Sequence, residues 1–339
     1  MIKEAIGNLV SGNSLTMEEA SSVMEEIMDG TATQAQLGAF LVALKLKGET
    51  ADEVAGLASV MRARSSRVSV AGPVIDIVGT GGDGSNTFNI STTAAFVMAG
   101  AGLKVAKHGN RAMSSRCGSA DVLEALGVKI ELKPEQVQQC VEKVGIGFMF
   151  AQAFHPAMKY AAAPRREIGI RTVFNILGPL TNPAGAEYQV LGVPSEDIGD
   201  KIAAALCRMG SKRALVVHGL NGIDELSISG QSILWEINDG CITSSRRYIC
   251  PEDTGLPSAA DSSLLGGTPL ENAEILRSVL NGERSARRDV VLLNAAAGIY
   301  TGAMASSLSE AVTTAATAID SGRAAGKLDQ LISFSGDMV

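Results

Sequence analysis

Two turns rich in glycine and basic residues concentrate the polar chemistry of this chain. Residues 76 to 91 read Asp-Ile-Val-Gly-Thr-Gly-Gly-Asp-Gly-Ser-Asn-Thr-Phe-Asn-Ile-Ser. The apolar run Val74 to Val78 predicts a strand. The four glycines between Gly79 and Gly84 predict a loop, and Ser85, Asn86 or Thr87 the cap of a helix behind it. Glycine lets a backbone approach a ligand closely, and the first amides of a helix are unpaired donors suited to phosphate. About twenty residues on, Lys107-His108-Gly109-Asn110-Arg111 is followed by Ala112-Met113-Ser114-Ser115-Arg116. Lysine and arginine there offer charge-assisted hydrogen bonds to phosphate oxygens. Two such loops from neighbouring strands point to a substrate with more than one phosphate group.

The glycine loop is neither a Rossmann fingerprint, lacking G-x-G-x-x-G, nor a Walker loop, lacking a following Gly-Lys-Ser/Thr. Asp83 is a poor phosphate contact because like charges repel. Holding sugar hydroxyls, binding a metal and pinning the loop all stay open as its role. Asn89, Ile90, Ser91 and Thr92 fall in the first helical turn, where hydroxyls serve either a phosphate or plain capping. A third loop, His218 to Glu225, follows a buried strand and ends in adjacent carboxylates, Asp224 and Glu225. Mg²⁺ prefers such oxygen ligands and bridges them to substrate phosphate. Arg165 and Arg166 either complement a helix dipole or offer a guanidinium fork to a carboxylate on a second substrate.

The elements that must position these loops follow from periodicity. Residues 1 to about 66 read as helices only, with Thr16-Met17-Glu18-Glu19 and Thr50-Ala51-Asp52-Glu53 as capping patterns. Short β-branched runs then alternate with helices. Strands are expected at 74–78, 103–106, 128–130, 147–150, 188–193 and 214–218, and helices at 88–100, 119–126, 134–144 and 196–209. That alternation implies an α/β fold, a small all-helical domain plus a large domain with a mostly parallel sheet flanked by helices. Residues 226 to 250 read as an antiparallel extension, and the last seventy residues return to helix. The expected division is 1–67 as the helical domain, with 160–185 inserted and packing on it as a hinge, and 68–159 plus 186–339 as the α/β domain.

Bulk properties narrow the function. With 339 residues, 46% hydrophobic and 19% charged, the chain can bury a large core. A net charge of −7 disfavours nucleic-acid binding. No apolar run is long enough to span a membrane, and the N-terminus has no signal-peptide character. Five widely spaced cysteines without a C-x-x-C pair suggest neither zinc nor a disulfide framework. They are read as reduced, which points to the cytoplasm, and Cys117 as a small filler rather than a nucleophile.

In combination, Gly79-Thr80-Gly81-Gly82-Asp83, Lys107 to Arg111, His155-Pro156-Ala157-Met158, Asn175 to Pro183 and Asp224-Glu225 resemble the anthranilate phosphoribosyltransferases of tryptophan biosynthesis. The resemblance runs in order to about residue 300. It implies a fold shared with pyrimidine nucleoside phosphorylases, a homodimer joined through the helical domain, and two Mg²⁺ ions per subunit. The implied reaction joins anthranilate and phosphoribosyl pyrophosphate into N-(5-phosphoribosyl)anthranilate and pyrophosphate. By the same resemblance Gly79, Gly82, Asp83, Thr87, Asn89, Ile90, Ser91, Thr92, Lys107, His108, Gly109, Asn110, Arg111, Ala112, Met113, Ser114, Ser115 and Ser119 hold the phosphoribosyl donor. Ser91, Asp224 and Glu225 hold the metal, and Gly79, Asn110 and Arg165 touch anthranilate. His108 and Arg171 lie in matching stretches with less definite roles. Other members often carry a small residue such as serine where Cys117 stands. No acid–base residue is implied; Lys107, Asp224 and Glu225 stabilise charge. Two alternatives have less support. A pyrimidine nucleoside phosphorylase would use inorganic phosphate without a metal pair, and a non-catalytic nucleic-acid-binding relative would carry a basic surface.

Overall fold

Three threonines open three of the first four helices. In the computed structural model, which describes residues 1–112 and 116–338, α1 (Ile2–Val10) is followed by α2 (Met17–Met28), α3 (Gln34–Lys47) and α4 (Ala51–Ala63). Thr16, Thr33 and Thr50 each accept the amide of the third helical residue, whose side chain returns a bond to the threonine amide. These reciprocal caps satisfy donors that a helix start leaves orphaned. Glu53 of the last box is fully buried and accepts from Leu15 N, Thr50 N and Lys47 Nζ at 2.7–2.9 Å. Its carboxylate thereby joins the α1–α2 connection, α3 and α4.

The α/β part continues as β1 (Ile75–Gly79), α5 (Ile90–Ala101), β2 (Val105–Gly109), α6 (Ser119–Ala125), α7 (Pro134–Gln139), β3 (Ile146–Phe150), α8 (Ala151–Phe154), α9 (Lys159–Ile168), α10 (Phe174–Leu177), β4 (Tyr188–Gly192), α11 (Glu196–Arg208), β5 (Arg213–Gly219), β6 (Ser232–Asn238) and β7 (Cys241–Ile249). Four helices close the chain, α12 (Pro269–Leu280), α13 (Ala286–Thr301), α14 (Leu308–Asp320) and α15 (Arg323–Gly336). The strands form one seven-stranded sheet in the order β3-β2-β1-β4-β5-β6-β7. β1 to β5 are parallel, and β6 and β7 add antiparallel.

Strand alternation sends side chains to two cores. Val190, Leu215, Val217 and Leu234 join the core built around α5, α13, α14 and α15. Leu191, Ala214, Val216, Ile233 and Trp235 face the other way, into a core shared with α11 and the N-terminal helices. Ala161, Phe174, Leu177 and Leu180 belong to that second core. The excursion between β3 and β4 therefore packs on the helical domain. The shared core couples the helical domain to the sheet.

Two local expectations fail. Val128 and Ile130 are buried and Lys129 exposed, but residues 128–130 form no strand; three β-branched or charged positions do not distinguish a strand from an irregular connection. The helix behind the glycine loop begins only at Ile90, with Asn89 at the cap position and no side-chain cap bond. Ser85 is instead turned onto Asp83, and Asn86 adopts φ 54° in the turn.

Candidate active site

The C-terminal ends of β1, β2, β4 and β5 carry the polar loops, the edge at which open parallel sheets bind ligands. The loop after β5 crosses the ends of β1 and β4. A Cβ on Gly192 would overlap the Asp224 carbonyl oxygen, and a Cβ on Gly79 would overlap Asp224 Oδ2. Only glycine at both strand ends admits the acidic loop. Gly81 N–H donates to Asp224 Oδ2 at 2.6 Å. Asp83 accepts from Ser85 N and Oγ at 3.0 and 2.9 Å and from Asp224 N at 3.3 Å. Of its three possible roles, pinning the loop is the one these contacts perform.

Glu225 turns to the start of α5, where Ser91 N donates to its Oε1 at 3.2 Å. Lys107, buried on β2, donates to Ile77 O at 2.6 Å and lies 3.4 Å from Ser91 Oγ. Burial pushes the Lys107 ammonium down, while Asp76 and Glu225 hold it up. Both members of the acidic pair are pushed up. For Asp224 the causes are burial and then the Asp83 charge; for Glu225 they are burial and then Asp224. Like charges held together in a partly desolvated place retain protons they would otherwise lose.

That strain is the test of whether a divalent cation fits. Among the described residues, no three His, Cys, Asp or Glu side chains converge into a complete cage. Mg²⁺ does not need one, since it keeps several waters and takes one or two carboxylates plus substrate phosphate. Asp224, Glu225 and the adjacent Ser91 hydroxyl supply such a partial oxygen set, and a cation would relieve their repulsion.

The remaining donor-side residues occupy distinct positions. Asn89 Nδ2 donates to Cys117 O at 3.2 Å, while its Oδ1 accepts from buried Asn272 at 2.9 Å. Ile90 belongs to the apolar core, and Thr92 is buried beside it on α5. Thr87 forms an antiparallel bridge with Leu265. Ser119 Oγ donates to Asn110 O at 3.2 Å and lies where a Gly109 Cβ would sit. Asp121 Oδ2 gathers Ala112 N and Gly118 N, each at 2.9 Å, closing the neck of the second loop. Arg111 pairs with Glu124 at 2.6 Å and Asp121 at 3.1 Å, directed at α6 rather than at the glycine loop. Met113, Ser114 and Ser115 lie outside the described residues. Cys117 is buried with its thiol pushed up to about 11, consistent with a filler.

Strand alternation separates His108 from Lys107. His108 faces the excursion, with its ring centroid 5.1 Å from that of His155. Both are held neutral, His108 at about 3 and His155 at about 4, by burial first and, for His108, then by His155. Their Nε2 atoms and Thr80 Oγ1 are buried without a partner among the described residues. Such orphans are uncommon in native interiors. Arg165 stacks 4.9 Å from the Phe174 ring, and burial lowers its guanidinium. That guanidinium makes no hydrogen bond or ion pair among the described residues, whereas Arg166 is exposed on the same helix. Arg171, six residues on, donates to Gly81 O at 2.9 Å and Gly82 O at 2.5 Å. The excursion therefore reaches the glycine loop. Asn110 Oδ1 accepts Arg111 N at 2.8 Å and lies 3.5 Å from Gln152 Nε2.

Sequence reasoning passed over a buried anchor beneath the site. Asp76 Oδ1 accepts His108 N at 3.2 Å, and Oδ2 accepts Asn182 Nδ2 at 2.7 Å. Asn182 Nδ2 also donates to Ala106 O at 2.8 Å. These bonds tie β1, β2 and the returning excursion together. An acidic residue in the middle of Val74-Ile75-Asp76-Ile77-Val78 was the available signal, because an unpaired carboxylate does not belong in a buried strand.

Two family models match: the helical bundle domain of a glycosyl transferase family over residues 3–65, and its a/b domain over residues 71–325. Anthranilate phosphoribosyltransferase of Dehalococcoides mccartyi is 61% identical over 99% of this chain and 98% of its own. That of Chloroflexus aurantiacus is 58% identical, with 98% of each chain covered. The crystal structure of anthranilate phosphoribosyltransferase from Thermus thermophilus superposes with a TM-score of 0.93 at 45% identity, covering 98% of this chain and 99% of that one. The Saccharomyces cerevisiae enzyme in complex with PRPP and Mg gives 0.91 at 29% identity, covering 99% and 98%.

Proposed function

The chain belongs to the anthranilate phosphoribosyltransferase family, and from that premise we propose how its residues divide the work. The enzyme transfers the phosphoribosyl group from 5-phosphoribosyl 1-pyrophosphate to the amine of anthranilate. The products are N-(5-phosphoribosyl)anthranilate and pyrophosphate, in the second step of L-tryptophan biosynthesis from chorismate. It uses magnesium.

The donor's pyrophosphate meets the glycine loop, Gly79 to Asp83, and the amides at the start of α5, with Lys107 as the buried cation beneath. The 107–115 loop and Ser119 enclose the other end of the donor. Displacement at the anomeric carbon passes through an oxocarbenium-like state, while negative charge grows on the leaving pyrophosphate. Loop amides and Lys107 are fixed before the reaction and stabilise that charge without reorganising. Ser91, Asp224 and Glu225 would hold two Mg²⁺ ions, which when bound supply Lewis-acid neutralisation of the phosphates.

The acceptor lies toward the excursion. Arg165 offers its unengaged guanidinium to the anthranilate carboxylate, and Gly79 and Asn110 border the ring. An aromatic amine is already neutral near pH 7, so no strong base is required before attack. Neutral His108 and His155 fit that need, because their rings carry no charge to repel the forming cation. Positioning then contributes much of the rate.

The observation that carries this reading is the acidic pair, raised by burial first and by neighbouring carboxylates second, beside a buried lysine at the glycine-loop end of the sheet. Mixing the protein with anthranilate, donor and Mg²⁺ should extinguish anthranilate fluorescence, and no loss above a protein-free control would overturn it. Residues 1–67 with 160–185 form the helical domain in this proposal, and two copies join through it. Exposed Val10 and Leu46 on α1 and α3 supply apolar surface for that contact. Sedimentation at micromolar concentration should give a dimer, and a monomer would refute the pairing. No helix among the described residues is long and apolar enough to cross a membrane, and a cytoplasmic location agrees with the reduced cysteines.

A further inference from the structure

One polar side chain lies in the middle of α13, a helix buried through most of its length. Asn294 is fully buried between Leu293 and Ala295. Its Oδ1 accepts Leu226 N at 2.9 Å. Its Nδ2 donates to Leu226 O at 3.0 Å and to Val290 O, one turn back, at 2.9 Å. All its hydrogens are used. Leu226 directly follows Asp224 and Glu225 and lies outside the sheet, so no strand neighbour is available to its backbone. Asn294 supplies what a neighbouring strand would, one donor and one acceptor to the same residue.

From above, the acidic loop is bounded by contacts that are weaker or shared with substrate: Gly81 N–H on Asp224, Ser91 N–H on Glu225, and the long bond to Asp83. From below, its two bonds to α13, at 2.9 and 3.0 Å, are buried on the side away from the glycine loop. A fully satisfied buried polar network fixes geometry in a way an apolar contact does not. We infer that Asn294 is a positioning residue that presets the Asp224–Glu225 backbone for the metal-bearing donor. The inference rests on the functional reading above and goes beyond it, since Asn294 touches neither substrate nor metal.

The test uses Asn294→Ser and Asn294→Asp in the full-length protein. A serine hydroxyl bonds Val290 O as Thr301 bonds Ala297 O on the same helix, so this variant removes only the two bonds to Leu226. At a fully buried position the aspartate side chain stays protonated, so it keeps an acceptor for Leu226 N and one O–H donor for the two carbonyls. Mn²⁺ binding in the presence of 5-phosphoribosyl 1-pyrophosphate is read by electron paramagnetic resonance. It should weaken about tenfold or more in Asn294→Ser, the scale of two lost hydrogen bonds, and less in Asn294→Asp. The anthranilate KM at saturating donor and metal should stay within about twofold. Folded variants that bind Mn²⁺ like the wild type would overturn the inference.

Hydrogen exchange on the wild type supplies a second measurement that needs no variant. The Leu226 amide should exchange as slowly as the α13 core in the free enzyme and gain little on adding Mn²⁺ and donor. Fast exchange that slows only on binding would sink the preset, whether or not the variants fold. Absence of any transfer by the wild type would instead remove the functional reading itself.

Discussion

Replacing Asp76 by asparagine separates two opposed effects on one buried carboxyl. Burial pushes Asp76 up to about 6, against the pull of Lys107, Asn182 and the His108 amide. The folded protein then holds this proton more tightly than the unfolded chain, where the ordinary value of 3.8 applies. Folding takes up a proton between those two values. The group's contribution is therefore fully present below about pH 4 and is lost as pH rises through about 6. The whole span is roughly 3 kcal/mol at 1.36 kcal/mol per unit, with about 2 kcal/mol of it between pH 4.5 and 7. Asparagine cannot titrate, so the slope disappears in Asp76→Asn. Its Oδ1 still accepts His108 N, but its amide meets Asn182 Nδ2 donor to donor, adding a pH-independent penalty of roughly 1–3 kcal/mol. The single tryptophan, Trp235, is fully buried in the core shared by sheet and helical domain, so its fluorescence reports urea unfolding. The wild-type advantage over the variant should shrink by about 2 kcal/mol from pH 4.5 to 7. A constant difference would show that burial and pairing cancel. An advantage that grows with pH would show that Lys107 wins and that the reasoning about desolvation is wrong.

Asp224→Asn with Glu225→Gln should lower kcat by about a thousandfold or more, as loss of a metal-held charge clamp does. The metal-free variant should melt no lower than the wild type, because repulsion is removed; steady-state kinetics and calorimetry check both. Arg165→Ala should raise the KM for anthranilate at least tenfold while leaving the donor KM within about twofold, and equal effects would take Arg165 out of the acceptor site. Gly192→Ala should destabilise by about 1–3 kcal/mol in thermal unfolding, since its methyl collides with the Asp224 carbonyl. It should also raise the donor KM, and an unchanged donor KM would mean the acidic loop is not held by that contact.

Local signals were legible where the chemistry is local. The caps at Thr16 and Thr50, the glycine loop and the antiparallel extension each depend on residues a few positions apart. The loop ends of β1, β2 and β5 were likewise readable, because each apolar strand runs straight into its polar turn. What escaped was whatever joins distant segments. Asp76 meets Asn182 across 106 residues, and Leu226 meets Asn294 across 68. Neither asparagine has any neighbour in sequence that announces its partner. Arg111 shows the converse. Its place in a basic loop suggested phosphate, but α6 brings Asp121 and Glu124 against it, and spacing alone does not predict that competition. The residue types at the site were readable, and their orientation was set by packing.

The charge arrangement explains why a chain with net charge −7 can act on a polyanion. Asp83, Asp224 and Glu225 stand together at the glycine loop, and Lys107 is the buried cation set against them. Arg111 is already committed to two carboxylates, and Arg171 spends its guanidinium on Gly81 and Gly82 carbonyls. A bare pyrophosphate would meet at least as much negative charge as positive. In the free protein Asp224 even occupies the Gly81 amide, one of the donors a phosphate oxygen would use. On the proposed reading, Mg²⁺ held by Asp224 and Glu225 would supply the missing positive charge and leave the Gly81 amide to a phosphate oxygen. The same carboxylates that would repel a metal-free polyanion would then favour the metal-loaded one, a specificity made by repulsion as well as by contact.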